Sequence, residues 1–334
     1  YWKWWRWTRP QNLTIFGSET PIIVAPYIAP ENTFAIENTG AFDGSSDVLG
    51  IKVDNDSPLN IYAILGFLNS RLYNFLHFIR AKPKDYRFEY YPITILELPL
   101  PNEEAFNERG VSLEEFTNNI ERIVELKNLK VLIEEQFEQV LHNNNMNKTK
   151  LKFDNVWRNL SRVGIIRKRI TPGDPSLESI ALKISLNDNT LQILHFSPEE
   201  QEWVTIIEIT GDNEKKEIIE CLYLLLTLFL KENQIASRTK WRKGQLFSVI
   251  ICQNIELFTA RNLSGINYLN KLPALIDELK INVSSEYIDL SSIDNEIREL
   301  EQKINEIVYD IFELDSEERK LIEIDIDFDI PYLP

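Results

Sequence analysis

The chemistry this chain offers most openly is basic side chains interleaved with aromatic ones. "YWKWWRWTRP" sets Lys3, Arg6 and Arg9 among four tryptophans within ten residues. "RAKPKDYRF" contributes Arg80, Lys82, Lys84 and Arg87. "RNLSRVGIIRKR" and "RTKWRK" add two further clusters, Arg158 to Arg169 and Arg238 to Lys243. Guanidinium and ammonium groups contact phosphates and guanine edges, and aromatic faces stack on bases, so the pattern suits a nucleic-acid partner. The tryptophans also have a plainer use. In a strand Trp2 and Trp4 share a face with Arg6, while Trp5 and Trp7 share the other with Lys3, so some of them must enter a core. The weight therefore rests on the arginines and Lys3.

Catalytic constellations are missing. The sequence has no GxGxxG or GxxxxGK[ST] phosphate cradle, no HExxH, no CxxC and no GxSxG elbow. His77, His142 and His195 lie in three separate segments and are expected to be structural or surface residues. The acidic stretch "IEIDIDFDIP" places Asp325, Asp327 and Asp329 on one face of a strand. A calcium loop needs turns and a glycine, which are absent, so a charged edge strand is the expectation there. Cys221 and Cys252 stand in apolar surroundings and are expected to be reduced core residues.

The net charge of −16 argues against a polyanionic partner only until its distribution is read. Residues 286–334 hold 16 acidic and 4 basic side chains, so −12 of the total lies there and −4 in the first 285 residues. Local field decides whether phosphate approaches a surface. The longest apolar run, "CLYLLLTLFL", has ten residues and reads as a buried helix, too short to cross a membrane. Neither it nor the N-terminal stretch resembles a signal sequence, and a cytoplasmic location is expected.

These side chains need elements to position them. "PIIVAPYIAP", "TFAIENTGAF" and "VLGIKV" read as short strands. Ile61, Leu65, Leu68, Leu72, Phe75 and Ile79 recur at helical spacing, giving one amphipathic helix opened by Pro58. "YRFEYYPITILELPLP" alternates like a strand. A long helix runs from Leu113 to Leu141, with its stripe through Phe116, Ile120, Ile123, Leu126, Leu129, Ile133, Phe137 and Val140. Ile293, Ile297, Leu300, Ile304, Ile307 and Ile311 form a heptad-like seam on a second one. Between these helices, strand patterns and the apolar helix around Cys221 read as a nested α/β unit.

In order, "RPQNLTIFGSETPIIVAPYIAPENTFAIENTGAF", "SSDVLGIKV", "IYAILGFLNSRLYNFLHFI" and "YRFEYYPITILELPLP" resemble the TaqI-like C-terminal specificity domain. This is the target-recognition region of adenine-N6 DNA methyltransferases and type IIG restriction-modification enzymes. The "LGFLNSRLYNFL" helix before a tyrosine-rich segment ending "LPLP" is the most specific part, and "INEIVYDIFELDSEERKLIE" resembles the helical region that follows such domains. The resemblance covers roughly residues 8–145 and 288–324 and leaves 150–285 unmatched. It implies an α+β fold: a mixed strand/helix target-recognition module (1–108), a long antiparallel helix pair (109–149 and 286–314), an inserted α/β domain (150–285) and an acidic tail or edge strand (315–334).

It further implies that Tyr1 is not a natural start. The S-adenosylmethionine site and the NPPY-type motif belong to an upstream catalytic domain of the same parent chain, so this portion carries no cofactor or catalytic residue of its own. The parent would be a site-specific adenine methyltransferase of bacterial or archaeal phage defence, with or without endonuclease activity. The expected partner is double-stranded DNA, held by Lys3, Arg6, Arg9, Arg80, Lys82, Lys84 and Arg87. Asn38, Asp43, Ser45, Ser46 and Asp47 in "NTGAFDGSSD" would face bases, although the same residues are ordinary turn formers. A protein-interaction module built on the acidic helices and the inserted domain is the alternative.

Overall fold

The computed structural model describes residues 21–29, 31–38, 48–84, 87–144, 147–150, 166–169, 182–197, 202–240, 256–259, 266–283 and 289–326. The fold is α+β, with long helices and small antiparallel sheets. The chain divides into two compact units, Tyr1–Val124 with Glu299–Pro334, and Glu125–Arg298. Both divisions fall inside long helices.

In the first unit β1 (Ile22–Pro26) lies between β3 (Ala35–Glu37) and β4 (Val48–Ile51), all antiparallel. A second sheet places β6 (Arg87–Glu89) between β2 (Ile28–Ala29) and β5 (Lys82–Lys84). Helices α1 (Ile61–Asn69) and α2 (Arg71–Arg80) replace the single helix expected over 58–79. The apolar period runs through both, but Ser70 breaks them with an extended backbone (φ −69°, ψ 157°). Its hydroxyl donates to Phe67 O (2.7 Å) and accepts from Tyr73 N (3.4 Å), so one side chain caps the end of α1 and the start of α2. Asn305 completes the junction by accepting from Arg71 N at 2.8 Å. At the front of α1, Asn60 accepts from Ala63 N (2.8 Å), so the helix starts after that cap and not at Pro58.

The expected strand over 86–101 is also shorter than its alternation suggested. It ends at Glu89, and α3 (Pro92–Leu96) follows with Pro92 in the first turn, where its missing N–H costs nothing. After α3 come α4 (Glu103–Glu108) and α5 (Leu113–Asn143). Further along the chain, α8 (Leu290–Ile311) is followed by α9 (Ser316–Ile326). The last of these corrects the acidic edge strand: residues 316–326 are helical. Asp315 accepts from Glu317 N (2.8 Å) and Glu318 N (2.9 Å), while Glu318 accepts from Asp315 N (2.9 Å). That reciprocal capping box, with acidic residues in the first turn, overrides the alternating pattern behind it. Asp327 and Asp329 lie outside the described residues, and Asp325 falls in the last turn of the helix.

The core of this unit gathers Ile23, Ala25 and Phe34 from the sheet side, the buried faces of α1 and α2, Phe106 of α4, Phe116 and Ile120 of α5, and Val308 and Tyr309 of α8. Close approach of α1 to α5 requires glycine at 66. A Cβ there would lie 2.0 Å from Ile120 Cδ1 and 3.2 Å from Phe116 Cζ. Ile120 is itself buried in the same core, so any movement has to be made against packed neighbours. Gly66→Ala gains about 1 kcal/mol of helix propensity but adds an overpacking cost of about 1–3 kcal/mol. We expect a net loss in the urea midpoint, partly restored by Ile120→Val, which removes the atom struck first.

The second unit holds a four-stranded antiparallel sheet in the order β8 (Ile166–Arg169), β11 (Glu202–Thr210), β10 (Thr190–Ser197), β9 (Leu182–Asn187). β7 (Asn147–Lys150) pairs with β12 (Glu256–Thr259). Helix α6 (Lys216–Lys240) packs on β9 and on α7 (Ile266–Asn282). Its stretch from Ile218 to Leu226 is buried all round, as the apolar run required, and Cys221 there is a buried free thiol. Cys252 lies outside the described residues. Lys130 of α5, Tyr223 of α6 and Asp294 of α8 form a half-buried network in which the phenol donates to the carboxylate at 2.9 Å.

Candidate nucleic-acid interface

Three of the basic residues singled out in the sequence, Lys82, Lys84 and Arg87, come together on one small ribbon, and Arg80 ends the helix just before it. β5 and β6 pair antiparallel in the register Lys82↔Glu89, Pro83↔Phe88 and Lys84↔Arg87. Strand alternation puts positions 82, 84, 87 and 89 on one face and 83 and 88 on the other. The second face is the anchored one. Phe88 meets Phe78 of α2 edge to face, with ring centres 5.0 Å apart. Two residues on, Tyr90 lies flat on the His77 ring (4.1 Å, 18°) and donates its hydroxyl to Asn32 Oδ1 at 3.0 Å. Its N–H donates to Tyr27 O at 2.8 Å, which continues the pairing of β6 with β2. The ribbon is thus fastened to α2 by aromatic rings.

Arg80, the last residue of α2, is exposed and donates to Glu97 O at 3.2 Å. Lys82 is 71% exposed and stands 4.0 Å from Glu89 Oε2. An ion pair this long at an exposed lysine is worth little, so the ammonium remains available to an external anion. Glu89 is buried by contrast and accepts from the Tyr91 hydroxyl; that bond holds the Tyr91 phenol protonated well above its usual range. Tyr91 in turn meets Tyr27 edge to face at 5.6 Å. Lys84 and Arg87 are direct partners in the ribbon register.

Edge-strand protection accounts for part of this composition. β5 is the outer strand, and Lys82, Pro83 and Lys84 are what a guarded edge carries. It does not account for Arg80, which is helical, or Arg87, which sits on the central strand of its sheet. Those two are the residues a purely protective role leaves over.

Asn38 is exposed immediately after β3. The segment before it is held to the helices by side-chain amides. Asn69 accepts from Phe34 N and donates to Phe34 O, both at 2.9 Å, and Asn74 accepts from Asn32 N at 2.9 Å. Asn32 donates to Leu68 O at 2.7 Å, satisfying a carbonyl freed where α1 ends. Asn69, Ser70 and Asn74 of "LGFLNSRLYNFL" are therefore committed to structure, a role the sequence alone did not assign. Lys3, Arg6, Arg9, Asp43, Ser45, Ser46 and Asp47 lie outside the described residues. Sequence reasoning also missed Glu89, Tyr91 and Tyr27; the alternation Arg87, Glu89, Tyr91 was the available signal.

His77 is buried and His142 is exposed at the end of α5. Among the described residues no group of three or more His, Cys, Asp or Glu side chains is placed to hold a metal ion. Among them, too, no helix is long and apolar enough to cross a membrane.

No protein-family model matches the chain, and no curated protein does. Among solved structures it is similar to the S subunit of a type I restriction-modification system from M. genitalium, at 12% identity and a TM-score of 0.32, over 89% of this chain and 84% of that one. A likeness at that level carries neither fold nor function across.

Proposed function

We propose that the first unit binds double-stranded DNA through the ribbon Lys82–Glu89 and Arg80, as the sequence-recognition portion of an adenine-N6 DNA methyltransferase or type IIG restriction-modification enzyme. The observation that carries this reading is the ribbon: Lys82, Lys84 and Arg87 at positions of one face, with Lys82 exposed, and an opposite face locked to α2 by the Phe88–Phe78 contact, with the Tyr90–His77 stack beside it. β2 pairs with β6 only at Phe88 and Glu89, so the end of the sheet that carries Lys84 and Arg87 is two strands wide, a width the major groove, about 12 Å across, admits. In the groove, Arg80, Lys82, Lys84 and Arg87 would reach phosphates and guanine edges, while Glu89 and Tyr91 keep the ribbon's own face set. The sequence resemblance to TaqI-like specificity domains supports the same role. Adenine flipping, S-adenosylmethionine binding and methyl transfer would then belong to a catalytic domain upstream in the parent chain.

The test is duplex binding across a salt series, wild type against a variant with Arg80, Lys82, Lys84 and Arg87 all changed to glutamine. Removing one phosphate interaction makes the slope of log K against log salt shallower by about 0.9. We expect a slope shallower by about 2–4 and at least tenfold weaker binding at low salt. An unchanged slope would remove the ribbon from the interface. No binding by the wild type at low salt, repeated with the full parent, would favour a protein-interaction role instead.

A further inference from the structure

In the second unit Glu220 of α6 is 3% exposed, and its Oε1 has no hydrogen-bond partner. The nearest cation, Lys216 one turn earlier, is 4.0 Å away. Lys216 is already engaged: its Nζ lies 2.8 Å from Asp289 Oδ2. Asp289 is the residue that caps α8, accepting from Ser291 Oγ (2.7 Å) and Ser292 N (3.0 Å). The second cation, Lys280 of α7, is held by Glu217 at 2.8 Å, with Asp277 at 3.9 Å. Four carboxylates from three segments therefore face two lysines, and the shortest lysine pairings go to residues other than Glu220.

A buried carboxylate in that position has two states with different consequences. Protonated, it places no demand on Lys216, which stays on Asp289 and pins α6 to the first turn of α8. Ionised, it competes with Asp289 for the same ammonium. We propose that Glu220, Lys216 and Asp289 form a proton-gated latch that fastens α6 to the start of α8 and loosens as pH rises. The burial of Glu220, with Asp289 and Glu217 adding to it against Lys216 and Lys280, pushes its carboxyl up to about 7. Against its own burial, Asp289 is held well below the usual carboxylate range by Lys216, Ser291 and the Ser292 N–H. The sign follows from the raised value. Below about 4.5 folded and unfolded chains both carry the Glu220 proton, and the latch is complete. Between there and about 7 only the folded chain keeps it, so each rise in pH lowers stability until the folded group too has ionised.

The latch is independent of DNA binding and is tested on the whole chain. Carboxyl carbon resonances of glutamate-labelled protein are titrated from pH 4 to 9, with Glu220 identified by its loss in Glu220→Gln. We expect a wild-type midpoint near 7 that falls in Asp289→Asn, where a neighbouring carboxylate is removed and Lys216 is released to Glu220. Amide exchange over 290–297, corrected for intrinsic rate, should lose protection by at most tenfold per pH unit up to about 7, and Glu220→Gln should flatten that profile. A wild-type midpoint below 5, a midpoint unmoved by Asp289→Asn, or parallel exchange profiles would each overturn the latch. Should Glu220→Gln not fold, the assignment can be made with Glu220→Asp, and the wild-type and Asp289→Asn titrations decide alone.

Discussion

Replacing Phe67 with alanine is expected to cost the first unit about 3–5 kcal/mol, a large part of the 5–15 kcal/mol that holds a typical domain folded. Phe67 is fully buried in α1, and rings from four other segments meet it. Tyr73 of α2 lies at 5.6 Å, Phe106 of α4 at 6.0 Å, Phe116 of α5 at 5.0 Å and Phe312, just after α8, at 6.4 Å. Phe106 and Phe116 also touch each other, as do Tyr73 and Phe312. Truncation leaves a cavity that none of these rings can fill without leaving its own neighbours, so collapse is limited and the cost sits at the upper end. Phe67→Leu keeps most of the volume and should lose far less. Urea unfolding followed by tyrosine absorbance or by exchange over 61–80 measures both. A loss below about 1 kcal/mol for the alanine variant would mean that this ring cluster does not organise the unit.

What could be read in the sequence follows from which signals are long and which are local. The stripes of α5 and α8 and the apolar run of α6 span many turns, and no local preference overturns them. Ser70 is one residue, and the apolar period passes across it unchanged; only its double capping, assisted by Asn305 from a segment 234 positions away from Arg71 in sequence, makes it a break. The C-terminal "IEIDID" alternates well enough to suggest a strand, but the signal that decided its fate lay earlier, in the Asp315–Glu318 capping box. The candidate site divides the same way. Arg80, Lys82, Lys84 and Arg87 were legible as charge. Their support was not, because Glu89, Tyr91, Phe88 and Tyr90 are ordinary residues until the register sets two on each face. The asparagines of "LGFLNSRLYNFL" show the reverse case: polar residues in a distinctive motif that serve the fold.

His77 gives the first unit a pH dependence opposite in sign to that of Glu220. The ring is 1% exposed, stacked on Tyr90, and neither nitrogen has a hydrogen-bond partner. Burial pushes the imidazole down from 6.5 to about 4. Above pH 6.5 it is neutral in folded and unfolded chains, and stability is unaffected by its titration. As pH falls from there to about 4, the unfolded chain takes up the proton and the folded chain does not, so stability drops by at most about 1.4 kcal/mol per pH unit. Below that the folded ring titrates too and the loss from this group ends. His77→Phe keeps an aromatic face against Tyr90 and removes two buried, unpaired nitrogens, each of which costs about 1–3 kcal/mol. The variant should therefore be more stable at pH 7.5, with a margin that widens by about 2 kcal/mol on going to pH 5. Denaturant unfolding at pH 7.5, 6 and 5, read through exchange over 61–80, tests both parts. A margin that stays constant with pH would show that the ring takes up its proton in the folded chain as easily as in the unfolded one. The Tyr90 stack beside the ribbon would then stand in a wetter setting than its burial implies.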